Sequence, residues 1–177
     1  MLSLKDIRGD LRTYFNWSAN ALVPFNPLAA DHYLNEHHSL IWNVAQKLLK
    51  QISYVPDTLY RGLILTESVD MIIPHKNFKY LSFSTDLSVA ETFADVKGFG
   101  SDVIDLSAKL GSYCYIIEYK PVITEVLFHH DFLTLLPYAE ALSLLNMDGV
   151  SEVEGLKNQK EVMIFQPAEP FTNIKRR

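Results

Sequence analysis

The hydrophobic and polar positions along the chain change period near residue 56, from a helical pattern to a strand pattern. Apolar residues spaced three or four apart predict a short amphipathic helix over residues 3–16 and the longest helix from Pro27 to about Gln51. Pro27 suits the first helical position, and Asn26 before it suits the N-cap. The first part of the chain is therefore predicted to be helical.

Beyond residue 56, the apolar segments are short and rich in β-branched and aromatic residues, a pattern typical of strands. Strands are predicted over residues 58–65, 78–84, 113–119, 122–128, 158–165 and 171–174. A short helix capped by Asp86 or Ser88 and a longer helical segment over residues 131–146 interrupt them. The second part of the chain is therefore predicted to be built mainly from strands.

Helices followed by strands indicate an α+β fold. We expect a single domain over residues 1–177, with a helical preface over 1–55 and a core over 56–177. Hydrophobic residues make up 48% of the chain and charged residues 21%, which is too apolar for intrinsic disorder and ordinary for a globular protein.

Charge and cysteine usage narrow the class of protein further. The net charge of -5 disfavours binding along nucleic-acid backbones, although a base held in a local pocket remains compatible with it. No apolar run has the length of a signal peptide or of a bilayer span, so a cytoplasmic protein with no membrane partner is predicted. The single Cys114 cannot form an internal disulfide and is predicted to be a small buried residue in a reducing compartment.

Two histidine clusters, Glu-His-His at residues 36–38 and His-His-Asp at residues 129–131, raise the question of a metal site. Adjacent histidines on a helix point about 100° apart. Neither cluster has the i, i+4 spacing of a zinc-binding helix. No metal is therefore predicted.

Arg61 lies in the middle of an otherwise apolar predicted strand. A guanidinium there must be paired or must face a polar pocket, because an unpaired buried charge is very costly. The residues leave open a salt bridge to a core carboxylate and an anion-binding role. Gly62 beside it would permit close approach of a ligand or of another backbone.

Two further pairs of polar residues lie at predicted strand ends. Ser82 and Ser84 share one strand face while Phe83 points into the core, and such serines usually cap the following helix. Gln159 and Glu161 would likewise share a face, and such a pair is usually a solvated strand end. Each pair alone has an ordinary structural interpretation.

Taken in order, these motifs are similar to a known family signature. Tyr60-Arg61-Gly62, Ser82-Phe83-Ser84 followed by Phe93, and Gln159-Lys160-Glu161 resemble the Arg, Ser-x-Ser and Glu motifs of mono-ADP-ribosyltransferases. The resemblance is to the branch typified by cholera toxin and by bacteriophage enzymes, and it covers roughly residues 58–175. It implies a split mixed β-core of two small sheets, with NAD⁺ in the cleft between them.

The resemblance also implies a role for each matching residue. The residues expected to contact NAD⁺ or to support that contact are Arg61 at the phosphates, Gly62 at the nicotinamide amide, Ser82 at the catalytic carboxylate, Ser84 within the strand and Phe93 at the nicotinamide ring. Glu161 would be the catalytic residue that stabilises the oxocarbenium-like cation, with Arg61, Ser82 and Gln159 completing the catalytic set.

Gln159 bears on the acceptor, because arginine-modifying members of the family place a second glutamate there. An amide cannot serve as a general base at neutral pH. The Gln-x-Glu form looks like that of enzymes that modify asparagine in small GTPases or guanine in DNA, which favours asparagine over arginine. Phe83 replaces a common threonine, no second arginine follows Arg61, and Lys97 is a candidate substitute charge.

The resemblance implies an NAD⁺-dependent glycosyltransferase that moves ADP-ribose to a macromolecular acceptor, either a host protein or a nucleic acid. A bacteriophage host modifier, or a bacterial toxin with an antitoxin or immunity protein as partner, would fit. The alternatives are an NAD⁺ glycohydrolase and a non-catalytic module that binds a nucleotide or a partner.

Overall fold

The computed structural model describes residues 27–52, 56–65, 80–95, 113–135, 157–166, 171 and 173–176. Within these ranges the α-helices are α1 (Pro27–Leu49) and α2 (Leu87–Phe93). The strands are β1 (Leu59–Leu65), β2 (Tyr80–Ser84), β3 (Tyr113–Tyr119), β4 (Val126–His129), β5 (Glu161–Phe165) and β6 (Asn173–Arg176). Short 3-10 helices cover Ile123–Glu125 and His130–Thr134. No helix in this part of the chain is long and apolar enough to span a bilayer.

The strands form one antiparallel sheet in the order β4-β5-β2-β1-β3-β6. The predicted α+β class is confirmed, whereas the prediction of two small sheets is wrong. The reason lies in β1, which pairs with β2 on one side and with β3 on the other. Its pairing with β3 runs from Leu59 opposite Tyr119 to Leu65 opposite Tyr113, so the full length of both strands is joined.

Internal contacts divide the chain into two compact units. Unit 1 comprises residues 1–55 and 126–161, and unit 2 comprises residues 56–125 and 162–177. The break after residue 55 coincides with the predicted end of the helical preface. Residues 126–161, however, group with the preface and not with the rest of the predicted core. The prediction of a single domain stays a prediction.

In unit 1, α1 packs against β4. The apolar stripe of α1 is buried at Ile41, Val44, Ala45, Leu48 and Leu49. Every residue of β4 is buried, and Gln46 Nε2 on α1 donates to the carbonyl oxygen of Val126 at 3.4 Å. Pro27 is the first residue of α1, as the sequence predicts, and Asn26 lies outside the described residues.

In unit 2, three aromatic rings form the centre of the core. Phe83 of β2 stacks on Tyr119 of β3 with 5.6 Å between ring centroids, and Phe171 meets both rings edge-on at 5.9 and 5.4 Å. Such ring pairs stabilise a core beyond the area that they bury. The predicted inward orientation of Phe83 is confirmed, since its side chain is buried.

Some predicted boundaries are wrong. Residues 123–125 form a 3-10 helix instead of the start of a strand, because the Glu125 carboxylate accepts from the Val122 N–H at 2.9 Å and closes a turn. The last strand begins at Asn173, two residues later than predicted, where Glu118 of β3 accepts from Asn173 and pairs with Lys175. Cys114 is half-buried instead of buried.

Other predicted elements lie partly or wholly outside the described residues. The predicted helix over 3–16 is entirely outside them. The segment predicted to be helical over 131–146 is described only to residue 135, and the part that is described forms the 3-10 helix His130–Thr134.

Candidate functional site

Arg61 and Ser82 are brought together on neighbouring strands. The half-buried Arg61 guanidinium, through Nη1, donates to the backbone carbonyl oxygen of Ser82. The contact therefore uses the main chain of Ser82 and not its hydroxyl. It ties the guanidinium to β2 and limits the positions that this long side chain can adopt.

Gly62 is the point where α2 lies directly against β1. A Cβ atom at this position would lie 1.9 Å from the carbonyl oxygen of Ala90 and 2.7 Å from the backbone N of Ala94. Since both are backbone atoms, no side chain fits without moving the helix. Of the two predicted reasons for this glycine, close approach of another backbone is the one observed, and contact with nicotinamide stays a prediction.

The junction between β2 and α2 is held by side chains that accept from the backbone. The buried Ser84 accepts at Oγ from the Asp86 N–H at 3.0 Å. Asp86 is the N-cap of α2, and its Oδ1 accepts from the Ser88 N–H at 2.9 Å. The sequence left Asp86 and Ser88 open as caps, and Asp86 is the one used. Ser84 therefore fixes the start of the helix that packs on Gly62.

Phe93 is the last residue of α2, and it is 42% exposed although Ala90 and Ala94 beside it are buried. The two alanines face Gly62, so the packing that holds α2 on β1 leaves the aromatic ring at the surface. An exposed ring on an anchored helix is available to stack on a planar ligand.

The segment Lys157–Glu161, called here the Glu161 turn, leads into β5 and ends on the first residue of that strand. The Lys160 N–H donates to the carbonyl oxygen of Lys157 at 3.1 Å, and Lys160 has a left-handed backbone with φ of 47°. Gln159 and Lys160 are exposed, whereas Glu161 is only 9% exposed. The turn therefore changes from exposed to buried side chains within one residue.

The prediction that Gln159 and Glu161 share a strand face is wrong, because β5 begins only at Glu161. The left-handed conformation of Lys160 reverses the backbone just before the strand. Strand alternation therefore does not relate Gln159 to Glu161.

The His-His-Asp cluster occupies the end of β4 and the start of the following 3-10 helix. His129 is fully buried, and its Nδ1 accepts from the Asp131 N–H at 3.1 Å. His130 Nδ1 lies 3.2 Å from Asp131 Oδ1, and the two imidazole rings stack with 4.6 Å between centroids. The sequence drew attention to these residues but judged them by helix geometry, which does not apply to a strand end.

Burial affects the pKa values of both histidines in this cluster. Burial lowers the pKa of His129 to about 4, with a contribution from the charge of His130, and Asp131 opposes the change only in part. Burial also lowers the pKa of His130; Asp131 opposes this effect, and the positive charge of Lys160 adds to it. Both imidazoles are therefore neutral at physiological pH.

The same cluster is the one group of three candidate metal ligands among the described residues, with donor atoms within 4.8 Å of one another. Imidazole lone pairs lie in the ring planes, and the planes of His129 and His130 are inclined by only 23°. The lone pairs therefore run side by side and do not converge on one ion. His129 Nδ1 is also engaged by the Asp131 N–H. This arrangement does not favour a metal, and the absence of one stays a prediction.

Sequence reasoning also missed a second buried carboxylate, Glu125. Its Oε2 accepts from Tyr119 Oη at 2.8 Å and from the Val122 N–H at 2.9 Å. Both donors lie within six residues of Glu125, so the carboxylate closes its own turn. In the sequence, the only signal for this role is Pro121, four residues before Glu125, because a proline favours a turn over a strand.

The predicted site residues fall in both units. Arg61, Gly62, Ser82, Ser84 and Phe93 belong to unit 2, where they surround the contact of α2 with β1 and β2. Gln159 and Glu161 belong to the end of unit 1. Lys97 lies outside the described residues. Comparisons of the chain with protein-family models, with curated proteins and with solved structures found no match.

Proposed function

We propose that this protein is an enzyme that transfers ADP-ribose from NAD⁺ to a macromolecular acceptor and releases nicotinamide. The observation that supports this most is the Glu161 turn. A carboxylate is held in a buried position at the first residue of β5, directly after the exposed Gln159 and Lys160. A catalytic carboxylate beside an exposed polar residue suits a reaction between a small donor and a large acceptor.

The chemistry explains why a carboxylate is needed. When the bond between nicotinamide and ribose C1′ breaks, its electron pair leaves with nicotinamide, and positive charge develops on the ribose. Glu161 accepts a hydrogen bond from the ribose 2′-hydroxyl and stabilises this charge as it forms. At about 4 Å and an effective dielectric constant of about 20, the interaction is worth on the order of 4 kcal/mol. This corresponds to roughly a thousandfold in rate.

In unit 2, taken by itself, the residues around α2 suit chemical groups that NAD⁺ carries. Arg61 carries a permanent charge and a forked set of donors, which suits the cofactor's phosphates. Its contact with the Ser82 carbonyl oxygen restrains the guanidinium before any ligand binds. The exposed ring of Phe93 suits stacking on nicotinamide. Gly62 and Ser84 contribute by holding α2 in place.

Gln159 favours an acceptor other than arginine. A guanidinium must lose a proton before it can attack, and a neutral amide cannot remove that proton. An amide can instead orient an acceptor through hydrogen bonds, and the asparagine side chain and the nucleic-acid bases offer matching groups. The exposure of Gln159 leaves room for such a macromolecule.

The decisive experiment incubates the protein with NAD⁺ labelled on the adenylate moiety and a bacterial cell lysate. Protease, DNase and RNase are then applied separately, and the digestion that releases the label identifies the class of acceptor. Nicotinamide release without a labelled macromolecule would replace transfer by NAD⁺ glycohydrolysis. Unchanged NAD⁺ after prolonged incubation would favour a non-catalytic binding module. The Glu161→Gln variant serves as the control for contaminating activities.

A further inference from the structure

The proposed transfer releases a proton, and neither Gln159 nor Glu161 accounts for it. When a nitrogen or oxygen of the acceptor bonds to ribose C1′, that atom becomes cationic and must lose its proton. Gln159 is a neutral amide and cannot take it. Glu161 is engaged with the ribose cation in the proposed mechanism. Transfer therefore needs another group that is neutral, reachable and close to the Glu161 turn.

The His-His-Asp cluster and the Glu161 turn lie at the ends of neighbouring strands, since the cluster ends β4 and the turn leads into β5. β4 and β5 are neighbouring strands of the sheet, and Lys160, which directly precedes Glu161, is close enough for its positive charge to lower the pKa of His130. His130 and Asp131 directly follow β4, and Lys160 directly precedes β5. All of these residues belong to unit 1.

Within the cluster, His130 has the arrangement of a general base. Its Nδ1 lies 3.2 Å from Asp131 Oδ1, and a carboxylate at this distance keeps the imidazole proton on Nδ1. Nε2 then carries the lone pair. The His130 side chain is 18% exposed, so a substrate group can reach it.

His129 has the opposite arrangement. Its Nδ1 accepts from the Asp131 N–H, so its own proton is on Nε2 and the ring has no lone pair to offer. Its side chain is also fully buried. The ring of His129 instead stacks on the ring of His130, with 4.6 Å between the ring centroids.

We propose that His130 is the general base of the transfer reaction and that Asp131 positions it. The acceptor's N–H or O–H proton moves to His130 Nε2 while the acceptor atom bonds to C1′. The C1′–nicotinamide bond breaks and nicotinamide leaves with the electron pair. This inference rests on the proposed function, and it supplies the base that Gln159 does not.

The charges that face His130 are consistent with this role. Burial and Lys160 lower the pKa of His130, while Asp131 opposes them, so the ring is in its basic, neutral form at physiological pH. His129, the remaining titratable neighbour in the cluster, is also neutral there. The base is therefore ready to accept a proton without a preceding deprotonation step.

The test compares His130→Gln with His37→Gln, a histidine on α1 that takes no part in the mechanism. Transfer of label from NAD⁺ to lysate macromolecules and release of nicotinamide into buffer are measured in parallel. General bases contribute roughly 100-fold or more, so His130→Gln is expected to lower the rate of transfer by about that factor. Hydrolysis falls less, because water is its own proton acceptor. His37→Gln should leave both rates unchanged.

Three results overturn the inference in distinguishable ways. Unchanged transfer by His130→Gln, with Glu161→Gln inactive, removes His130 from the mechanism and leaves the proposed function intact. Loss of transfer on adding EDTA, with recovery on adding zinc, assigns the cluster to a metal instead. Wild-type protein that releases no nicotinamide removes the proposed function itself.

A pH profile separates chemistry from a structural effect of the substitutions. Lys160→Gln removes a charge that lowers the pKa of His130, so the acidic limb of the transfer rate should move to higher pH. Asp131→Asn removes a charge that raises this pKa, so the limb should move to lower pH. A limb that stays in place in both variants, with thermal unfolding unchanged, contradicts the assignment.

Discussion

Two glutamates are buried to nearly the same extent but lie in very different surroundings. Glu125 is 7% exposed and Glu161 is 9% exposed. Glu125 follows β3 and accepts from Tyr119 Oη and from the Val122 N–H, so its carboxylate closes a turn. Glu161 follows two exposed residues and opens β5. Burial alone therefore does not mark a catalytic carboxylate, and the two glutamates differ in their place in the chain: Glu125 ends a 3-10 helix and Glu161 begins a strand.

The distinction has a physical basis. A carboxylate that accepts from a tyrosine hydroxyl and a backbone N–H stabilises the folded chain, because those donors would otherwise lose their hydrogen bonds. A carboxylate at the boundary between an exposed turn and a buried strand lies where a ligand can meet it. We therefore expect substitutions at Glu125 to affect stability and substitutions at Glu161 to affect activity.

The largest effect is expected from Glu161→Gln. The amide keeps the shape of the side chain but removes the charge that stabilises the ribose cation, a loss on the order of 4 kcal/mol in the transition state. NAD⁺ cleavage should therefore fall roughly a thousandfold. Nicotinamide release measures it, and thermal unfolding serves as the check on folding. Equal loss of activity in Glu125→Gln, compared at equal amounts of folded protein, would break the contrast between the two glutamates.

The next effect concerns the stability of the unit that contains Glu161. The folded pKa of His129 is about 4, below its ordinary value of 6.5. As the pH falls from 6.5 to about 4, the unfolded chain therefore binds a proton at His129 that the folded chain does not bind. The free energy of unfolding falls by up to about 3 kcal/mol over this range, at about 1.4 kcal/mol per pKa unit. Neutral His129 makes its full contribution to the free energy of unfolding only above its pKa in the unfolded chain, 6.5.

Urea unfolding of the wild type at a series of pH values between about 4 and 6.5 measures this decrease in the free energy of unfolding. His129→Asn keeps an acceptor for the Asp131 N–H but does not titrate, so its stability should change less over the same window. A wild type and a variant that lose stability in parallel would show that other groups cause the acid sensitivity.

A smaller loss of stability is expected at Glu125. Glu125→Gln weakens a charged acceptor with two donors, which should cost about 1–3 kcal/mol in the free energy of unfolding. Tyr119→Phe removes one of those donors and should cost about 1 kcal/mol. Chemical denaturation measures both, and nicotinamide release per folded molecule should stay at the wild-type rate in each. An intact free energy of unfolding in Glu125→Gln would contradict the structural role.

The smallest effect is expected at the exposed Gln159. Gln159→Glu replaces the amide donor by a negative charge, so hydrogen bonds to the acceptor are lost while the cofactor side is little affected. Transfer should fall more than NAD⁺ hydrolysis, by about tenfold, which corresponds to one hydrogen bond of about 1.4 kcal/mol. The two rates are measured on the same preparation. If transfer is untouched, Gln159 does not contact the acceptor.

Local features of the fold were predictable because they depend on a few neighbouring residues. The apolar, β-branched segments predict β1 and β3 to within one residue of their observed bounds. Asp86 was one of two predicted caps, because a short acceptor side chain satisfies the first N–H groups of a helix. Phe83 was predicted to be buried because alternation separates it from two serines.

Features that depend on distant parts of the chain were not predictable in the same way. A single glycine in a strand has several explanations, and only the position of α2 shows that Gly62 makes room for the backbone of Ala90. The number of sheets depends on which strands pair, and β1 pairs on both sides. The left-handed Lys160 that separates Gln159 from β5 has no marker in the sequence, because lysine seldom adopts that conformation.

The sequence by itself determined the order of elements, the α+β class and the succession of Arg61, Ser82 and Glu161 that suggests ADP-ribose chemistry. Periodicity and motif order are written in neighbouring residues, so they survive without tertiary contacts. Only the tertiary structure decided that the strands form one sheet, in which β4, followed directly by His130 and Asp131, is the neighbour of β5. Hydrogen bonds between strands join residues that are far apart in the chain, and no local pattern specifies such partners.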